Sequence, residues 1–295
     1  MFVDVFTTIK VFDLNITIRH VELDKPKHGN PALMLHGVGS FADSFNYNME
    51  HLYDLGYWPI AVDIVGFGKS DKPQQIQYTL NTFSIIMSDW IKQCQLTNIL
   101  LIGTSFGAGV GLGIYDIIPE DIISIILISP AGFGKDIWVM YRIASMPLIR
   151  SLGVRLLFNS KFKFNKGSKS WSSFVYDHTS IPKEMIEYSD DYKKDHGIRY
   201  AYSQILTKFA HIFGVKKEVI QLITTIAVKV KENNIPTLIV WGKNDNIIPS
   251  RLGKVAAQLT GGSLSLIDNS GHMAHLEQFN KYNQVVETFL EGINN

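Results

Sequence analysis

The chain has 295 residues, with 28 Lys+Arg against 27 Asp+Glu, 46% hydrophobic and 19% charged residues, and one cysteine. That composition fits a globular chain with a large core, built as one elaborate domain or as one domain carrying an inserted second one. The single Cys94 excludes an internal disulfide framework and a multi-cysteine metal site and reads as a free buried thiol, and the formal charge of +1 argues against a general nucleic-acid binder.

Residues 1–20 alternate apolar and polar side chains, with no basic region followed by an apolar block, so no signal peptide is expected there. The most apolar run, Ile122–Ile128, is too short to cross a bilayer, and a cytoplasmic location is the expectation. Residues 2–22 read as a β-hairpin around Asp13, Leu14 and Asn15. Then the pattern changes. Short, nearly continuous apolar runs at Pro31–Leu35, Trp58–Val62, Ile99–Ile102 and Ile122–Ile128 alternate with helical segments. A strand covered by helices on both faces needs that pattern, so the runs predict a parallel sheet. Leu80–Gln95 places Phe83, Met87, Trp90 and Ile91 on one helical face, and a second helix opens at Ser105 directly after a strand.

The rhythm stops at Gly132–Gly134 and resumes with a strand at Thr237–Trp241, a helix near Ser250–Leu259, a strand at Ser263–Ile267 and a last helix from about His275 to Leu290. The expected organisation is an α/β core over 1–134 and 231–295 with a mostly helical insertion over 135–230. That division splits the near-zero charge: the insertion has 16 Lys+Arg and 8 Asp+Glu, a net +8 against −7 for the core. A solvated basic face attracted to an acidic core is the plain reading, and steering of anionic substrates the sharper one.

Gly103-Thr104-Ser105-Phe106-Gly107 lies between a buried strand and a helix. A serine nucleophile must stand clear of its sheet, and a sharp strand-to-helix turn does this while crowding the positions two before and two after. Glycine at 103 and 107 relieves that crowding. The helix N-terminus also favours developing negative charge. His272 follows the strand Ser263–Ile267 in a loop and is the candidate base. Asp245 follows the strand Thr237–Trp241 and is the candidate acid that orients it. The order Ser105, Asp245, His272 suits a serine elbow on this architecture. His36-Gly37-Val38-Gly39-Ser40 follows the strand Pro31–Leu35, and the backbone N–H groups of Val38 and Phe106 are the candidate oxyanion donors, with His36 and Gly37 shaping the loop. His275, three residues after His272, has no further ligand at suitable spacing, so no metal site is expected.

Together with Asp63-Ile64-Val65-Gly66-Phe67-Gly68-Lys69-Ser70, which looks like a D-x-x-G-x-G-x-S turn, these segments resemble the α/β-hydrolase superfamily over nearly the whole chain, specifically its cap-containing serine hydrolases. The resemblance implies an eight-stranded, mostly parallel sheet with the second strand antiparallel, helices on both faces, and a helical cap between strands six and seven. Epoxide hydrolases and haloalkane dehalogenases of this layout use an aspartate nucleophile, against which Ser105 speaks. Carbon–carbon bond hydrolases of ring-cleavage products use serine but typically carry tryptophans beside the histidine, where Met273 and Leu276 stand here. Haloperoxidase-like enzymes and lactonases share the triad.

The leading expectation is a carboxylic-ester hydrolase, a serine esterase forming an acyl-enzyme on Ser105, acting on a small-molecule ester and needing no cofactor or metal. Carbon–carbon (meta-cleavage product) or lactone hydrolysis with the same triad is the alternative, and a ligand-binding sensor on this scaffold is the rival from another class. The insertion's aromatics and methionines include Trp138, Met140, Tyr141, Met146, Phe158, Phe162, Phe164, Trp171, Phe174 and Tyr176. Some are expected to line an apolar acyl pocket, with Trp138, Tyr141, Met146 and Met273 the specific candidates.

Overall fold

Nearly continuous burial of runs of leucine, isoleucine and valine builds the centre of the sheet. The structure, a computed structural model, describes residues 1–146, 173–192 and 194–294. The strands are β1 (Phe2–Val11), β2 (Leu14–Leu23), β3 (Asn30–Leu35), β4 (Tyr57–Val62), β5 (Ile99–Thr104) and β6 (Ile122–Ile128), a two-residue pair β7 (Ala210–His211) and β8 (Gly214–Val215), then β9 (Thr237–Gly242) and β10 (Ser263–Ile267). Eight of them form one sheet in the order β1-β2-β4-β3-β5-β6-β9-β10. β2 runs antiparallel to both neighbours, and β4 through β10 pair in parallel.

The central strands are buried on both faces, which is why they read as continuous apolar runs. Leu33, Leu35, Leu101 and Leu127 face one layer, where they meet α2 (Leu80–Gln93) and α3 (Phe106–Ile117). Ala32, Met34, Ile102 and Ile128 face the other, where they meet α1 (Asn46–Asp54) and the C-terminal helix (Phe279–Asn294). α2 begins at Thr79, whose hydroxyl accepts the Thr82 N–H, and buries Phe83, Met87, Trp90 and Ile91 as expected.

The hairpin turn falls at Phe12 and Asp13, with φ of 50° and 58°, so Leu14 and Asn15 already belong to β2. Two successive left-handed residues give the two-residue turn whose twist matches its strands. The single C-terminal helix expected from His275 is two helices, α9 (Ala274–Glu277) and α10 (Phe279–Asn294), separated at Gln278, where φ −122° and ψ 47° leave the helical region. Cys94 is half-buried.

Between β6 and β9 the described chain is helical: α4 (Val139–Ala144), α5 (Lys183–Tyr192), α6 (His196–Phe209) and α7 (Lys217–Glu232), with β7 and β8 a minimal hairpin. The boundary expected at residue 230 falls inside α7. α7 buries Val219, Ile223, Ile226, Ala227 and Val230 on one face and packs against α3 and the helix α8 (Leu252–Thr260) that precedes β10. Ile223 fills the space beside Gly132, where a Cβ would lie 2.1 Å from its Cδ1. α7 is therefore part of the layer covering the sheet. Phe158, Phe162, Phe164 and Trp171 lie outside the described residues. Among the described residues, no helix is long and apolar enough to cross a membrane.

Candidate active site

Ser105 sits between the end of β5 and the start of α3 with φ 53° and ψ −112°, a backbone that L-residues rarely adopt. Its N–H donates to the Ile128 carbonyl at 2.8 Å and its own carbonyl accepts the Ala131 N–H at 3.2 Å, so the end of β6 pins the turn from both sides. The flanking glycines are sterically required. A Cβ at Gly107 would lie 2.3 Å from the Leu35 carbonyl oxygen, and one at Gly103 would lie 2.6 Å from the Ala108 Cα. Ser105 is 6% exposed.

Asp245 and His272 meet across the ends of β9 and β10. The imidazole Nδ1–H of His272 donates to Oδ2 of Asp245 at 2.8 Å. The same oxygen accepts the indole N–H of Trp241 at 3.0 Å, while Oδ1 accepts the N–H groups of Ile247 and Ile248 at 2.8 and 2.9 Å. Four donors thus hold an almost fully buried carboxylate in one orientation. The two loops touch closely: a Cβ at Gly242 would lie 2.0 Å from the Gly271 carbonyl oxygen, and the Asn244 N–H donates to the Ser270 carbonyl at 2.9 Å.

The loop carrying Val38 lies against the elbow, since a Cβ at Gly37 would come 3.2 Å from the Ser105 Cβ. Phe106 opens α3, so its N–H belongs to the first helical turn, and its ring packs edge-on against Phe83. His36 is structural. Its Nδ1–H donates to the Gly37 carbonyl at 2.8 Å, its Nε2 accepts the Ile64 N–H at 3.0 Å, and burial pushes its pKa down, which keeps the ring neutral. Asp63 is fully buried and accepts the Ala42 N–H at 2.7 Å, the Lys69 N–H at 2.8 Å and Arg19 at 3.0 Å. It braces the Val38 loop against the Asp63–Ser70 turn. Gly68 has room for no side chain there, since a Cβ would fall 1.9 Å from the Asp63 carboxyl carbon.

The four pocket candidates separate. Trp138 and Tyr141 lie in one aromatic wall with Phe174 and Tyr202: the rings of Trp138 and Tyr141 are 5.5 Å apart, and Phe174 stands 6.1 Å from Trp138 and 6.3 Å from the His272 imidazole. Met273, just before α9, is buried in a cluster with Phe41, Val175, Ile181, Met185 and Leu276, against which Phe174 of that wall also packs. Met146 is half-buried just beyond α4, with its N–H on the Ile143 carbonyl. Tyr176 is 53% exposed and lines no enclosed pocket.

Sequence reasoning missed four residues here. Tyr202 packs over the Val38 loop, where a Cβ at Gly39 would lie 2.6 Å from its ring. Tyr192 donates to the Ser40 carbonyl at 2.8 Å and accepts the Gly68 N–H at 3.1 Å, joining the two loops through one hydroxyl. Trp241 read only as the end of a strand. Glu277 accepts the Gly271 and Asp177 N–H groups, each at 2.6 Å, and burial pushes its carboxyl above the usual range against the pull of those donors. Its one visible signal was an acidic residue in the apolar stretch that follows His272.

A strained serine at a strand-to-helix turn, with an Asp–His pair at the neighbouring strand ends of a mostly parallel eight-stranded sheet, is the architecture of the α/β-hydrolases. The model of the serine aminopeptidase, S33, family matches residues 29–279, and the chain belongs to that family. It is 25% identical over 300 residues to the Pseudomonas putida 2-hydroxy-6-oxononadienedioate/2-hydroxy-6-oxononatrienedioate hydrolase 1, spanning 97% of this chain and 95% of that relative. Among solved structures it is similar to a putative lipase from Acinetobacter baumannii AYE, with TM-score 0.78, 20% identity, and 99% of this chain and 92% of that one covered. It is also similar to the 2-hydroxy-6-oxo-6-phenylhexa-2,4-dienoate hydrolase from Rhodococcus sp. strain RHA1, with TM-score 0.77, 17% identity, and 99% and 100% covered. At those identities the structural likeness shows the fold.

Proposed function

We propose that the protein is a serine hydrolase that cleaves carboxylic esters of small to medium acyl chain, with Ser105 as nucleophile, His272 as base and Asp245 as the group that orients it. The observation that carries this reading is the 2.8 Å bond from His272 Nδ1 to Asp245, beside a strained serine elbow. With Nδ1 engaged, Nε2 is the nitrogen left to take the Ser105 proton. Ser105 Oγ attacks the ester carbonyl, the Val38 and Phe106 N–H groups stabilise the tetrahedral oxyanion, and the alkoxide leaves with the proton from His272. Water, deprotonated by the same histidine, then releases the acid. The aromatic wall of Trp138 and Tyr141 is the apolar surface for the acyl chain. The test is Ser105→Ala on p-nitrophenyl esters of graded chain length. Loss of turnover in that variant is expected, and retained wild-type activity overturns the assignment.

A second reading, hydrolysis of a carbon–carbon bond in a vinylogous diketone acid, is favoured by the Pseudomonas putida relative, which carries that kind of name over nearly its whole length. It uses the same three side chains. A spectrophotometric assay that follows loss of the dienol chromophore separates the two: a kcat/KM for the dienone acid far above that for every ester selects the second.

A further inference from the structure

The backbone of His272 is held by residues from the insertion, and one carboxylate makes that attachment. The His272 N–H donates to the Phe174 carbonyl at 2.6 Å. Gly271, the residue before it, gives its N–H to one oxygen of Glu277 at 2.6 Å, and the other oxygen accepts the Asp177 N–H at 2.6 Å. The Tyr176 N–H adds a third bond to the same carboxylate. The contact is tight: a Cβ at Gly271 would lie 2.7 Å from the Phe174 carbonyl oxygen and 2.8 Å from the Val175 Cα. Glu277 is 5% exposed, so neither amide has water as a ready substitute partner.

We propose that Glu277 is a positioning residue that pins the Gly271–His272 backbone to Phe174–Asp177, so that docking of this insertion segment sets where the His272 imidazole lies. The inference rests on the reading of His272 as the base. Glu277 touches no reacting atom. It acts by fixing the loop on which the imidazole is mounted, while Asp245 fixes the ring's rotation from the other side. The two restraints come from different parts of the chain. Asp245 lies in the loop that follows β9, whereas Glu277 joins the His272 loop to a segment that precedes β9 by about 60 residues.

The aromatic wall includes a ring of the same segment. The Phe174 ring stands 6.3 Å from the imidazole and 6.1 Å from Trp138, so a displacement of Phe174–Asp177 alters the pocket and the base together. Loading of the wall by substrate and alignment of the base are therefore coupled through one short stretch of backbone.

Glu277→Gln tests this. An amide presents one acceptor oxygen and an NH2 group, so one of the two opposed N–H groups meets a donor and the loop loses an anchor. A misplacement of the base by about 1 Å costs on the order of 100-fold in rate. The expected result is a fall in kcat of about 10- to 100-fold on a p-nitrophenyl ester, with KM changed less than about 2-fold, and an equal slowing of Ser105 labelling by a fluorophosphonate. A variant that unfolds at a lower temperature but keeps wild-type kcat and labelling rate overturns the proposal. A wild-type protein that the fluorophosphonate does not label overturns the reading of the base, and the proposal with it. Should Glu277→Gln fail to fold, hydrogen exchange on the wild type decides: Gly271, His272 and Asp177 amides that open as one unit support the clamp, and independent opening overturns it.

Discussion

The Trp241 indole N–H points at the Asp245 oxygen that also receives the His272 imidazole, at 3.0 Å and 2.8 Å respectively. A buried carboxylate with both oxygens engaged cannot rotate to follow the imidazole, so the ring must conform to it. Asp245→Asn replaces an acceptor by a donor against one of these partners and favours the wrong imidazole tautomer. We expect kcat on p-nitrophenyl esters to fall about 10³- to 10⁴-fold. Trp241→Phe leaves three donors on the carboxylate and is expected to cost less than about 10-fold, with a stability loss of about 2–3 kcal/mol. Steady-state kinetics of the two variants give the ranking, and an equal loss in both contradicts it.

The elbow makes a steric prediction. Gly107→Ala pushes a methyl against the Leu35 and His36 carbonyl oxygens at 2.3 and 2.4 Å, and backbone at strand ends cannot yield. Destabilisation above about 3 kcal/mol is expected by urea unfolding. Gly111→Ala, in the same helix, meets only the Leu101 side chain at 3.2 Å and is expected to stay within about 1 kcal/mol of wild type.

His275 sets the acid limb of stability. It is fully buried, and burial with the nearby His272 lowers its pKa from 6.5 to about 3. The unfolded chain therefore binds a proton below pH 6.5 that the native state refuses until about pH 3. Stability is complete above pH 6.5 and falls through that window by up to about 1.4 kcal/mol per pH unit. The imidazole lies among aromatic rings, tilted 32° to Phe45 with centroids 4.7 Å apart, so His275→Phe replaces it with a ring that does not titrate. Urea midpoints measured from pH 7 to pH 4 are expected to fall less steeply in that variant.

The basic excess between β6 and α7 remains when α7 is left out, with 14 Lys+Arg against 7 Asp+Glu over residues 135–216. If that excess steers substrates, kcat/KM for an ester bearing a carboxylate falls about 3- to 10-fold between low and physiological ionic strength, while a neutral ester of equal size is unaffected. Equal salt profiles for the two esters exclude steering.

The parallel strands were legible because burial on both faces leaves nearly continuous apolar runs in β3, β5 and β6, and the serine turn because its two glycines answer a local clash. Asp245 and His272 could be paired from their places after β9 and β10, since neighbouring strand ends meet in space. The place of α7 was not legible: it carries the same amphipathic period as a cap helix, and its packing against α3 and α8 and the fit of Ile223 beside Gly132 put it in the layer over the sheet. The hydroxyl of Tyr192 and the carboxylate of Glu277 were hidden for another reason. Their partners are backbone groups 152 and 100 residues distant, and backbone groups carry no signature in the sequence.

The sheet order bears on how the protein becomes active. β10, which delivers His272, is an edge strand paired only with β9, and it is synthesised last of the eight. The serine turn needs only strands made in the first half of synthesis, so it can form while the base is still inside the ribosome. A chain that stops before β10 therefore carries the serine turn without His272 and without the Asp245–His272 hydrogen bond.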